Sequence, residues 1–152
     1  MLIMLEGCDA TGKTTIANML QLVMPDAQVV HCTADTPNDF EFFDTLIDIG
    51  QSRNIILDRG MYGQFVYQNW NERNLSMAQL TKLELRMLET GAKLLYICAS
   101  KSKIEERLKL RGEETPLAVE EILQRFDEVL KESILPVHYI ETTNGLLIGR
   151  LV

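Results

Sequence analysis

Positive charge is in short supply in this chain. Fifteen lysines and arginines face 22 aspartates and glutamates over 152 residues, a formal net charge of −7. A protein that holds a long polyanion usually presents a basic surface, so this balance argues against a nucleic-acid partner. Any phosphate must then be met by local lysines and arginines. Cysteine is sparse too: Cys8, Cys32 and Cys98 are odd in number and lack metal-ligand spacing. That suits free thiols in a reducing compartment, with Cys32 and Cys98 expected as buried packing at strand ends. No apolar run approaches the roughly 20 residues of a membrane span, and no basic leader precedes the first apolar stretch. A cytoplasmic protein with no membrane partner is therefore expected. Repeats, low-complexity tracts and linkers are also missing, and 152 residues with 46% hydrophobic content suit one domain with a sizeable core.

The most informative feature present is the run Gly7-Cys8-Asp9-Ala10-Thr11-Gly12-Lys13-Thr14, a complete G-x-x-x-x-G-K-[ST] directly behind the apolar stretch Leu2-Ile3-Met4-Leu5. A chance match in a chain this long has odds on the order of one in a few hundred. Gly7 and Gly12 permit backbone geometry that lets successive N–H groups of Cys8, Ala10, Thr11 and their neighbours point at phosphate oxygens. Lys13 would reach the β- and γ-phosphates of ATP, and the Thr14 hydroxyl would ligate Mg²⁺. From Thr15 to Met24, Ile16, Met19, Leu20 and Val23 fall at helical spacing, so the loop opens a helix whose positive end faces the anion.

Strand and helix signals alternate along the rest of the chain. Strands are expected at residues 27–31, 53–58, 93–99 and 136–140, and a helix from Phe40 to Gly50. Ser76-Met77-Ala78-Gln79 reads as a capping box for a helix that ends at Gly91. A second box at Ser102 to Glu105 is expected to open a basic helix stopping near Gly112, and Pro116 to start a helix reaching Ser133. The pattern predicts an α/β fold of the P-loop NTPase type, a five-stranded parallel sheet with helices on both faces. In such a sheet ligands collect at the carboxyl ends of the strands. Asp58 closes the third strand there, so its carboxylate is placed to hold Mg²⁺ or a water on it.

The segment Asp58-Arg59-Gly60-Met61-Tyr62-Gly63-Gln64-Phe65-Val66-Tyr67-Gln68 resembles the D-R-Y-x-x-S-x-x-A-Y-Q segment of thymidylate kinases, matching at the Asp, the Arg and the final Tyr-Gln. Glu6-Gly7-Cys8-Asp9, continuing to Gly12-Lys13-Thr14-Thr15, is similar to their E-G-x-D-x-x-G-K-[ST]-T opening. Shorter thymidylate-kinase-like proteins among viral nucleotide enzymes are similar as well. The resemblance implies an ATP-dependent nucleoside monophosphate kinase in which Asp9 binds a sugar hydroxyl of the acceptor and Arg59 holds its phosphate. Chemistry agrees with both: a carboxylate accepts hydrogen bonds from a hydroxyl, and a guanidinium fork matches phosphate oxygens. On the same grounds Phe40, Tyr62, Tyr67 and Gln68 are candidate acceptor contacts. Arg107 and Arg111 look like arginines of that family's mobile lid, here near residues 101–115. Four apart on a helix, they share a face and can converge on the transferring phosphoryl group. Ala10 stands where some members carry a loop arginine, which leaves the catalytic arginine to the lid.

The chain also departs from that pattern. The Arg-Glu-Pro segment after the second strand is replaced by His31-Cys32-Thr33-Ala34-Asp35, Gly63 stands for a Ser, and no Arg accompanies Phe40, Phe42 and Phe43, of which Phe43 is expected in the core. Two alternatives therefore stand beside the monophosphate kinase. One is a deoxynucleoside kinase, since the segment from Arg107 to Glu114 is loosely similar to that family's lid. The other is a non-catalytic nucleotide-binding switch, although the guanine-reading N-K-x-D signature is absent. ATP and a nucleoside monophosphate are the expected partners, with self-association into a homodimer left open.

Overall fold

Every residue of the first strand is buried, which requires packing on both faces and so places it inside a sheet covered on both sides. The computed structural model describes residues 1–69 and 71–145. That strand, β1 (Leu2–Glu6), leads into α1 (Lys13–Val23), then β2 (Gln28–His31), α2 (Phe40–Gly50) and β3 (Ile55–Asp58). A short α3 (Gly63–Tyr67) and α4 (Met77–Thr90) precede β4 (Lys93–Cys98). The chain continues through α5 (Lys101–Arg111) and α6 (Val119–Lys131) to β5 (Val137–Glu141). The sheet has five parallel strands, as the alternating pattern predicts, in the order β2-β3-β1-β4-β5.

Alternation along β1 divides the core. Ile3 and Leu5 pack with Ile56 and Ile97 against Ile16 and Ala17 of α1. Leu2 and Met4 face the larger cluster, built with Phe43 and Ile47 of α2, Leu83 and Met87 of α4, and Ile122 and Phe126 of α6. The sheet is thus covered on both faces, and the register brings the ends of β2, β3 and β1 to one edge. There His31 pairs opposite Asp58, and Leu5 opposite Asp58 from the other side. No helix among the described residues is long and apolar enough to cross a membrane.

Local signals differ from the expected ones in two places. The Ser76–Gln79 capping box is present, with both reciprocal hydrogen bonds made. At α5, however, the cap is Ser100, whose hydroxyl accepts the Lys103 N–H at 3.3 Å, and Ser102 already lies in the helix. β4 ends early enough at Cys98 for Ser100 to take the extended conformation a cap needs. Pro116 does not start α6 either. The Thr115 hydroxyl donates to the Leu117 carbonyl at 2.6 Å, a turn that delays the helix to Val119, and the helix ends at Lys131 rather than Ser133.

Candidate active site

The phosphate loop spans residues 7–14, between β1 and α1. Gly7 has φ +148, and a Cβ there would stand 2.2 Å from the Ile97 carbonyl oxygen of β4, so only glycine fits. The Lys13 ammonium is buried and donates to the Gly7 and Cys8 carbonyls at 2.8 and 2.7 Å, while Thr11 Oγ1 donates to the Cys8 carbonyl at 2.7 Å. Burial lowers the Lys13 pKa, against the opposing pull of Asp9. Cys8 is fully buried in the main core and lines neither of the two cavities at this edge of the sheet, so its thiol is not a ligand contact. All three cysteines are free; Cys8 and Cys32 are buried, and Cys98 is half-buried.

Thr14 and Asp58 meet as their sequence positions suggest. Thr14 Oγ1 donates to Asp58 Oδ2 at 3.2 Å, and His31 Nδ1 lies 2.9 Å from the same oxygen. The other carboxylate oxygen, Asp58 Oδ1, is buried with no partner among the described residues. A hydroxyl beside an unpaired carboxylate oxygen suits a hard divalent cation that takes its remaining ligands from phosphates and water. Among the described residues no group of three metal-ligating side chains forms, so a fully protein-held metal cage is not present.

Two cavities adjoin at this edge of the sheet. The first, about 550 Å³, is lined by the phosphate loop with Asp58, His31, Arg111 and Glu113. The second, about 350 Å³, is lined by Glu6, Gln64, Tyr67, Gln68, Pro116 and Phe126. Asp9, Cys32 and Arg59 line both. At this seam Arg59 Nη2 donates to Asp9 Oδ1 at 2.8 Å, with Arg59 in a left-handed conformation at φ +69. In the second cavity the Tyr67 hydroxyl and Gln68 Oε1 are buried without a partner among the described residues.

Two of the expected acceptor contacts lie elsewhere. Tyr62 belongs to the core: its ring is fully buried, and its hydroxyl donates to Glu84 Oε1 at 2.6 Å and meets Ser133 Oγ at 3.0 Å. Phe40 packs on the main core and lines neither cavity. Phe43 is core, as expected. The lid arginines line one cleft with Thr15 and Met19 but differ in their partners. Arg107 donates to the Ala10 carbonyl and to Thr142 Oγ1 at 3.2 and 3.1 Å, and to the Thr142 carbonyl at 2.6 Å. Arg111 has no ion pair among the described residues and lines the first cavity and a cleft beside Thr15 and Met19. Sequence reasoning missed Thr142, whose hydroxyl donates to the Thr11 carbonyl at 2.7 Å and so ties the end of β5 to the phosphate loop. A threonine immediately past the last strand was the available signal.

Glu6 opens the loop motif, but the motif assigns it no role. Burial raises its pKa from an ordinary 4.5 to about 7, against the backbone N–H of Tyr62, the charge of Lys13 and the N–H groups of Gly63 and Gly60. Between those two values the folded protein holds a proton that the unfolded chain has lost. Stability should therefore fall as pH rises from 4.5 to 7, by up to about 3 kcal/mol. Melting curves across that range, compared with Glu6→Gln, check this; a variant with the same pH slope as the parent would contradict it.

No family model matches the chain. The SPbeta prophage-derived uncharacterized protein YorR of Bacillus subtilis is 29% identical over 93% of this chain and 88% of its own. The crystal structure of YorR in complex with phosphorylated GDP superposes with a TM-score of 0.79 at 28% identity, over 93% of this chain and 85% of that one. Polyphosphate kinase 2 from Arthrobacter aurescens gives 0.67 at 18% identity, over 91% of this chain but 60% of that one. Deoxyadenosine kinase from M. mycoides gives 0.58 at 15% identity, over 99% and 93%. At such identities the last two bear on the fold alone. The chain therefore has the α/β fold of P-loop kinases, with a polyphosphate kinase and a deoxynucleoside kinase among its structural neighbours.

Proposed function

We propose that the protein is a phosphotransferase that moves the terminal phosphoryl group of ATP onto a nucleoside monophosphate. It would do so as one kinase domain over residues 1–152, with a short basic lid near residues 101–115. The observation that carries this reading is the Asp9–Arg59 pair at the seam of two cavities. The phosphate loop assigns the first cavity to the donor, so a cation at its junction with the second faces whatever accepts the phosphoryl group. An acceptor that already carries a phosphate needs such a clamp.

The roles follow from position. The backbone of residues 7–15 would cradle the donor phosphates, and Lys13 would leave its two loop carbonyls for the β- and γ-phosphates. Thr14 and Asp58 would hold Mg²⁺. Bound there, the ion would supply positive charge that offsets the negative charge developing on transfer. Arg59 would exchange Asp9 for the acceptor's phosphate, freeing Asp9 for a sugar hydroxyl, while Tyr67 and Gln68 flank the acceptor in the second cavity. Arg111 would reach the transferring phosphoryl group. The sequence resemblance makes thymidylate the first acceptor to test, and the phosphorylated GDP held by YorR adds guanine nucleotides.

A nucleoside 5′-hydroxyl acceptor is the second reading, and one observation favours it. His31 stands beside Asp58 at the donor cavity, where a hydroxyl acceptor would have to lose its proton. Coupled ADP release with a panel of nucleosides and nucleoside monophosphates separates the two, and no turnover on any of them would leave a nucleotide-binding switch. The clamp makes its own prediction. Arg59→Ala should raise the acceptor KM about tenfold, the loss of one charge-assisted hydrogen bond, while the ATP KM stays near the parent value. Equal effects on both substrates would contradict the assignment.

A further inference from the structure

The buried carboxylate of Glu6 sits at the inner wall of the second cavity and takes no part in the proposed transfer. Glu6 Oε1 accepts the Tyr62 N–H at 2.8 Å, and the N–H groups of Gly63 and Gly60 also favour its charged form. The turn after β3 lies directly on it: a Cβ on Gly60 would stand 2.8 Å from Glu6 Oε1 and 2.3 Å from Met4 Sδ. Arg59 begins this turn. Its N–H donates to the Leu5 carbonyl at 3.2 Å, so the residue is tied to β1 on one side and to the carboxylate's donors on the other. The left-handed conformation of Arg59 is strained for a residue with a side chain, so its surroundings must hold it there. Tyr62 fixes the far end, its ring buried and its hydroxyl bonded to Glu84.

We propose that Glu6 is a positioning residue for the acceptor: by gathering the backbone N–H groups of Gly60, Tyr62 and Gly63, it holds Arg59 with its guanidinium at the seam of the two cavities. The inference rests on the reading of Arg59 as the clamp for the acceptor's phosphate. An ionised carboxylate receives several N–H donors at once, whereas a protonated one loses part of that capacity. A glutamine would turn N–H against N–H. Because burial places Glu6 at about 7, this change falls within the neutral range. The groups that face it are Lys13 from α1, Cys32 beyond β2, and Tyr62 and Tyr67 of α3. Cys32 is pushed up to about 12, and both tyrosines are raised from their ordinary values. Lys13 belongs to the donor side, so its titration would register in the donor's KM.

The test is the KM of acceptor and of ATP, each measured from pH 5.5 to 8.5 in the parent, Glu6→Gln and Arg59→Ala. In the parent the acceptor KM should rise about tenfold as pH falls through 7, with the ATP KM unchanged. Glu6→Gln should carry the raised acceptor KM throughout and lose the inflection near 7, while the acceptor phosphate's own titration near 6 persists in both proteins. Should Glu6→Gln fail to fold, Gly60→Ala presses on the same carboxylate from the turn and should raise the acceptor KM in the same way. A parent without an acceptor-specific inflection near 7, or a folded Glu6→Gln with parental acceptor KM, overturns the proposal. If Arg59→Ala raises the acceptor KM but Glu6→Gln does not, the positioning role alone fails. If Arg59→Ala leaves the acceptor KM untouched, or no phosphorylated acceptor turns over, the clamp reading falls and this proposal with it.

Discussion

Replacing Lys13 with alanine should reduce turnover by at least about a thousandfold while leaving a folded protein. The ammonium is the buried cation of the phosphate loop, and it donates to two loop carbonyls at 2.8 and 2.7 Å. Donor phosphates would take over those hydrogen bonds, and the charge would then sit where negative charge accumulates during transfer. One well-placed donor of this kind is worth about a hundred- to a thousandfold, and loss of a full charge from a buried site lies at the upper end. The same substitution strips the Gly7 and Cys8 carbonyls of a partner. That should cost about 1–3 kcal/mol of stability and lower the melting temperature by several degrees. Lys13→Met keeps the bulk of the stem and separates the two effects: turnover should stay lost while less of the melting temperature is. A folded Lys13→Ala protein with turnover near the parent's would show that the loop is not the donor site.

Legibility in the sequence followed the range of the interactions. The phosphate loop is local, since its spacing, its glycines and the strand and helix beside it lie within about 20 residues. The sheet edge was legible from one general rule about parallel strands. That rule puts Asp58 opposite Leu5 and His31 and within reach of Thr14, although His31 and Thr14 lie 27 and 44 residues from it in the chain. Aromatic residues were not legible in the same way. Tyr62 and Tyr67 occupy one motif, yet Tyr62 turns into the core because Glu84 and Ser133, from two distant elements, offer its hydroxyl buried partners. Tyr67 keeps an unpartnered hydroxyl at the second cavity. Nothing in the spacing distinguishes them. Glu6 was legible as the first residue of the loop motif but its role was not: its donors are backbone N–H groups, which carry no residue signature. The boundary of α5 shifts because Ser100, two residues before Ser102, takes the cap, and that of α6 because the Thr115 turn delays the helix by three residues.

Helical spacing put Arg107 and Arg111 on one face, but the packing of α5 gives them different surroundings, and the kinetics should divide accordingly. Arg111→Ala should lower kcat about a hundredfold with little change in either KM, because its guanidinium has no ion pair among the described residues and lines the donor cavity. A donor that acts mainly on charge developing in the transition state shows up in this way. Arg107 is already committed to the Ala10 carbonyl and to Thr142, which in turn holds the Thr11 carbonyl. Its removal should loosen the phosphate loop, raising the ATP KM and lowering the melting temperature, with a smaller loss in the chemical step. Thr142→Val, which deletes the same link from its other end, should reproduce the Arg107→Ala pattern and not that of Arg111→Ala. Single-turnover rates at saturating ATP and acceptor isolate the step that matters. Parental rates in Arg111→Ala would remove it from the transfer site, and a hundredfold loss confined to Arg107→Ala would exchange the two assignments.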